Sequence, residues 1–145
     1  MPANDELMIA IELADAPDEA ALALVDEGLE RHNYAVAPLN DVAPLAAFAR
    51  TPDGTLIGGA VGRTWGQCCE LLELWVDEAQ RGQGVASRLL AAFEAHAAGR
   101  GCTVYYLTTL SYQAPGFYLK HGYAERARIA GYPNGIIKFL MVKEC

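Results

Sequence analysis

One stretch constrains this chain more than any other: an apolar strand that runs into a glycine-rich turn and then into a helix. Leu71 to Val76, interrupted by Glu73, has strand character. Asp77-Glu78-Ala79-Gln80 is a short polar turn, and Arg81-Gly82-Gln83-Gly84 follows it. Beyond that, apolar residues recur at Val85, Leu89, Leu90, Phe93 and Ala97, one stripe at helical spacing. Strand, glycine turn and helix in this order aim several backbone N–H groups and the positive end of the helix at one point. That arrangement suits a phosphate or diphosphate. Gly82 and Gly84 let the backbone approach a ligand that a Cβ would hold away. The stretch has no Gly-x-x-x-x-Gly-Lys, and Gly82-Gln83-Gly84 is not followed by the third glycine of a dinucleotide fingerprint.

The elements around it follow in order. Leu7 to Leu13 suits an opening strand, and Asp15-Ala16-Pro17-Asp18-Glu19 reads as a helix start. Leu22, Val25 and Leu29 give that helix an inward stripe, fading near Arg31-His32-Asn33. Asn33 to Pro44 reads as a loop with a short helical turn. Leu45 to Arg50, Thr55 to Thr64 and Cys68 to Val76 form three strands of an antiparallel meander, with Gly58-Gly59 marking a bulge or a close contact. The central helix stops near Gly99, and Thr103 to Thr109, β-branched and aromatic, is the next strand. Strand, crossover helix and strand imply a parallel pair. Gln113 to Lys120 is a short helix, and Tyr123 to Ala130 and Ile136 to Lys143 are strands joined by a tight turn at Gly131-Tyr132-Pro133-Asn134-Gly135. The order βα(loop)βββαβαββ in 145 residues gives a single α/β domain, residues 1–145, with a mixed sheet and helices on both faces.

Charge and cysteine usage narrow the function. A net charge of −7 opposes nucleic-acid binding, which needs a basic footprint, and sits well with a cationic or amine substrate. No apolar run approaches the ~18 residues of a membrane span, so no membrane partner is expected. The start, Met1-Pro2-Ala3-Asn4-Asp5-Glu6, is acidic and unlike a signal peptide, so a cytoplasmic location is expected. Cys68, Cys69, Cys102 and Cys145 show no Cys-x-x-Cys spacing, and no metal site is expected. The first three read as small, partly buried apolar residues, and Cys145 as a terminal thiol.

Arg81-Gly82-Gln83-Gly84-Val85-Ala86, with the strand before and the helix after, resembles the acyl-CoA-binding motif of the GNAT superfamily of N-acetyltransferases. A second string, Ala114-Pro115-Gly116-Phe117-Tyr118-Leu119-Lys120-His121-Gly122-Tyr123, resembles that family's Ala-x-x-Phe-Tyr-x-x-x-Gly-Phe/Tyr. The resemblance covers nearly the whole chain and is strongest from about Glu70 to Tyr123. It implies a GNAT fold, with a central mixed, mostly antiparallel sheet of six to seven strands. It implies acetyl-CoA as co-substrate, no metal, and transfer of an acetyl group to a small amine by direct attack. A protein or peptide amine, or a non-catalytic acyl-CoA-binding domain, are the alternatives. Family members are often dimers, which leaves a homodimer open.

Residue by residue, the resemblance implies that backbone groups of Leu74, Trp75 and Val76 hold the thioester and that their strand splays from Thr103 to Thr109. The diphosphate would sit on N–H groups of Arg81, Gly82, Gln83, Gly84, Val85 and Ala86, with Ser87 donating from the first helical turn. Tyr118 takes the place of the general acid beside the sulfur, next to Phe117. Ser111 stands where the family usually has an Asn that contacts the cofactor arm. The base is Glu73 or Glu70. The two face opposite sides of a regular strand, and Glu73, within an apolar run, is the choice. His32 and Tyr34, in the loop after the first helix, fall where the family builds its acceptor site.

Overall fold

Asp18 starts the first helix. Its carboxylate accepts from the Ala21 N–H at 3.2 Å, and α1 runs Glu19–Val36. These and the following features come from a computed structural model that describes residues 8–145. The chain falls into two units, one ending at Leu39 and one spanning Asn40–Cys145. Leu7 of the expected opening strand lies outside the described residues, and Met8 to Leu13 form no strand. The helix passes Arg31-His32-Asn33 because nothing there breaks it. It stops before Pro38, whose ring disfavours helical backbone at Ala37, which is extended at φ −142°. His32 and Tyr34 therefore lie on α1 and not in a loop after it. No residue of α1 is buried. Its unit holds no second long helix or strand among the described residues, so the Leu22, Val25 and Leu29 stripe has nothing within that unit to pack on.

The second unit holds β1 (Ala43–Arg50), β2 (Leu56–Trp65), β3 (Cys68–Val76), α2 (Val85–Gly99), β4 (Val104–Leu110), α3 (Pro115–Lys120), β5 (Ala124–Ile129) and β6 (Lys138–Glu144). The strands form one six-stranded sheet in the order β1-β2-β3-β4-β6-β5. Among the described residues only β3 and β4 pair in parallel, so the sheet is mixed, as the element order implies, and mostly antiparallel. The crossover helix α2 packs on β1, β2 and β3. Its stripe, Leu89, Leu90, Phe93 and Ala97, meets Leu45, Ala60, Leu71, Leu107 and Met141 in one buried cluster. Burying a side chain the size of Leu90 or Phe93 stabilises by about 1.5–3 kcal/mol. Among the described residues no helix is long and apolar enough to cross a membrane.

A bulge in β3 reshapes the face that matters. Val61 pairs with Glu73 but Gly62 pairs with Leu71, which leaves Leu72 as the extra residue. One extra residue reverses the alternation of a strand. Cys69 and Leu71 are buried before the bulge, and Val76 after it. Glu70 and Glu73, expected on opposite sides, thus share the face turned away from the core. A second register shift, between Ala49 and Arg50, skips Ile57 beside Gly58 and bears out the irregularity expected at Gly58-Gly59.

A half-buried polar network ties α2 to the far side of the sheet. Glu94 accepts from Tyr123 Oη at 3.1 Å and pairs with Lys143 Nζ at 3.1 Å. Burial and the neighbouring Glu94 carboxylate push the Tyr123 phenol far above its ordinary range, so it stays a donor.

Candidate active site

The parallel pair is short. β3 and β4 are in register only at Cys68 with Val104, Cys69 with Tyr105 and Glu70 with Tyr106. Beyond that, β3 continues against β2 while β4 continues against β6. From Leu71 to Val76 and from Leu107 to Leu110 the facing edges have no ladder partner, and the strands part where Leu72 bulges. Edges of this kind need polar partners from elsewhere.

The gap opens into a cleft of about 680 Å³ that receives Glu73, Leu74, Trp75 and Val76 from β3, Thr108 and Thr109 from β4, and Phe117 and Tyr118 from α3. Tyr112, Gln113 and Ala114 line it as well. A second recess of about 260 Å³ shares Val76, Arg81, Ala86 and Phe117 with it and adds Gly82, Gly84, Val85 and Ser87. So the glycine turn, the end of β3 and the Phe-Tyr pair, separated in sequence, are brought to adjoining spaces.

The glycine turn has the geometry expected of an anion cradle. Gly84 is the N-cap of α2 at φ 77°, a left-handed conformation that L side chains avoid, and no side chain caps it. The first intrahelical bond of this turn runs from Arg88 N to Gly84 O, so the N–H groups of Val85, Ala86 and Ser87 are left for another acceptor. Arg81 adds a cation at the border of both spaces, its Nε donating to Val76 O at 3.0 Å. A Cβ on Gly84 would meet no protein atom within 4 Å. A Gly84→Val chain should therefore fold but carry backbone strain of ~1–2 kcal/mol at the cradle, raising the KM for a diphosphate-bearing ligand about tenfold. Steady-state kinetics of the variant check this.

Tyr118 is buried, 8% exposed, with edge-on contacts to Phe117 at 5.2 Å and Tyr123 at 5.8 Å. No buried side-chain oxygen lacks a partner among the described residues, so its hydroxyl, which makes no hydrogen bond to any described residue, opens onto the cleft. Burial raises the phenol above its usual range and keeps it protonated near neutrality. The two acids differ sharply. Glu70 is gripped by Arg63, whose Nε and outer guanidinium nitrogen reach Oε1 at 2.9 and 2.8 Å. Glu73 lines the cleft and has no ion pair or hydrogen bond among the described residues.

One expected contact is engaged with another partner. Ser111 is not among the residues that line the cleft. Its hydroxyl accepts from Ile137 N at 3.0 Å while its own N–H donates to Ile137 O at 2.8 Å, fastening the end of β4 to the chain entering β6. His32 and Tyr34 lie on α1, in the other unit. The sequence reading missed Thr108, Tyr112 and Gln113. Gln113 is held by its Oε1, which accepts from Leu110 N at 2.8 Å and Thr109 Oγ1 at 3.2 Å. Cys69 and Cys102 are buried as expected, Cys68 is exposed, and burial pushes Cys69 up to about 12, so it is protonated and unreactive near neutrality.

Residues 10–123 match the model of the acetyltransferase (GNAT) family. A blasticidin-S acetyltransferase from Streptomyces morookaense is 42% identical over 111 residues, covering 74% of this chain and 82% of that protein. The acetyltransferase Atu2258 of Agrobacterium fabrum is 32% identical over 85% of this chain and 90% of its own length. The crystal structure of an acetyltransferase from Bacillus cereus superposes with a TM-score of 0.79 at 25% identity, over 92% of this chain and 98% of that one.

Proposed function

This chain belongs to the acetyltransferase (GNAT) family and is an N-acetyltransferase with acetyl-CoA as its co-substrate, and on that premise we propose that it acetylates an amine of a small molecule by direct attack. We treat residues 1–145 as one acetyltransferase domain, because the family match runs across both units. The observation that carries the reading is the parting of β3 and β4 with Glu73 and Tyr118 on the cleft between them. We place the reaction in the cytoplasm, a compartment that holds acetyl-CoA.

Acetyl-CoA supplies an acyl carbonyl joined to a thiolate leaving group. The free N–H groups of Val85, Ala86 and Ser87 with Arg81 would receive its diphosphate. The unpartnered edge of β3 at Leu74, Trp75 and Val76 would bond the amide-bearing arm and hold the carbonyl for attack. Glu73 would take the proton from the attacking amine, directly or through a water. Tyr118 would give its phenolic proton to the departing sulfur. The engagement of Glu70 with Arg63 favours Glu73 for the base role.

This division predicts that Glu73→Gln lowers kcat about tenfold or more, a water relay keeping the loss below that of a directly placed base. Glu70→Gln, which removes only a surface ion pair, should stay within about threefold of wild type. Equal losses in the two variants would remove the assignment. The substrate reading is tested by release of free CoA thiol across a panel of small amines, with blasticidin S as the first acceptor because of the 42% identical relative. Turnover with peptide amines and none with any small amine would replace the small-molecule acceptor by a protein one.

A further inference from the structure

We propose that His121 is a positioning residue for the cradle: it holds Ser87 so that the serine hydroxyl turns its proton toward the diphosphate. The proposal rests on the acetyl-CoA reading above. His121 caps α3, the helix that carries Phe117 and Tyr118. Its Nε2 lies 3.1 Å from Ser87 Oγ, across 34 positions of sequence, and the pair is partly buried. The imidazole also packs against Phe117, at 4.5 Å between ring centres and an interplanar angle of 51°. Ser87 lines the smaller recess with Arg81, Gly82, Gly84 and Val85.

A serine hydroxyl has one proton and two lone pairs. Inside a helix it commonly turns the proton back on a carbonyl of the preceding turn. When the ring proton sits on Nε2, the imidazole donates to Oγ, occupies a lone pair and leaves the hydroxyl proton free to point into the recess. The cradle then gains a side-chain donor beside the N–H groups of Val85, Ala86 and Ser87. The same bond links the first turn of α2 to the helix that bears Tyr118, so one contact sets both the cradle and Phe117, which lines recess and cleft alike.

The experiment is calorimetry of the full chain with CoA on wild type, His121→Phe, His121→Gln, Ser87→Ala and the double Ser87→Ala, His121→Phe chain, each with its thermal midpoint. Phenylalanine keeps a ring against Phe117 and deletes the donor. Its Kd for CoA should rise about fivefold, the size of one lost hydrogen bond. Ser87→Ala should match it, the double variant should be no worse than either, and His121→Gln, which restores an N–H donor, should return within about twofold. Midpoints should stay within a few degrees throughout. An unchanged or tighter Kd in His121→Phe overturns the proposal, because it means Ser87 donates to the ring and not to the ligand. Additive losses, or a fall in midpoint that glutamine does not rescue, overturn it too, as signs of a purely structural tie. Should His121→Phe fail to fold, Ser87→Ala and His121→Gln decide alone. Wild type that binds no CoA is a different result and removes the acetyl-CoA reading itself.

Discussion

A Tyr118→Phe chain is expected to lose about 10²- to 10³-fold in kcat while its Kd for acetyl-CoA stays within about twofold of wild type. The split follows from what the side chain touches. Its ring is packed between Phe117 and Tyr123, and phenylalanine keeps those contacts. Its hydroxyl makes no bond to any described residue, so removing it leaves no donor or acceptor stranded among them. What disappears is one proton at the cleft, held on the phenol by burial through the neutral range. Stability should therefore barely change, and a thermal midpoint within a few degrees of wild type accompanies the prediction. Kinetics at saturating acetyl-CoA check it. A variant that turns over like wild type would show that the departing sulfur takes its proton from elsewhere.

The second large effect concerns Gly62, which the sequence alone did not single out. A Cβ on Gly62 would collide with the backbone carbonyl oxygen of Glu70 and stand 2.8 Å from Phe93 Cζ. One atom is backbone of the paired strand at the foot of the bulge, and the other is the tip of a ring fully buried in the core, so neither can swing aside cheaply. Gly62→Ala is expected to destabilise the fold by about 3 kcal/mol, a fall in midpoint of roughly 10 °C. The bulge at Leu72 that turns Glu73 to the cleft should be disturbed with it. Gly99→Ala is the control. Gly99 lies in the last turn of α2 with nothing within 4 Å of its Cβ position, so that change should be neutral or slightly stabilising. Chemical denaturation of the two variants gives the comparison, and equal stabilities would dispose of the steric argument.

Local pattern made much of this molecule legible. The helical stripe from Val85 to Ala97 and the run from Cys68 to Val76 are strong periodic signals, and both elements fall where the sequence places them. The parallel pairing of β3 and β4 followed from the crossover rule alone. The illegible features depend on contacts between distant residues. The bulge exists because Gly62 lets β3 come close, and no alternation count in β3 reveals a residue on the neighbouring strand. Ser111 reads as a contact to the cofactor arm until its partner, Ile137, is known. His121 reads as a helix-end residue until Ser87 is found beside it. In α1 a polar stretch suggested a stop where the backbone had none, and Pro38 was the true barrier.

Cofactor binding as proposed depends on amide hydrogens at the start of α2 gripping a diphosphate. Calorimetric titration of the full chain with CoA at modest ionic strength addresses that directly. One site per chain with a Kd in the range of about 1–100 μM, weakened about tenfold in Gly84→Val, is the predicted result. No heat and no competition with acetyl-CoA up to millimolar ligand would contradict it.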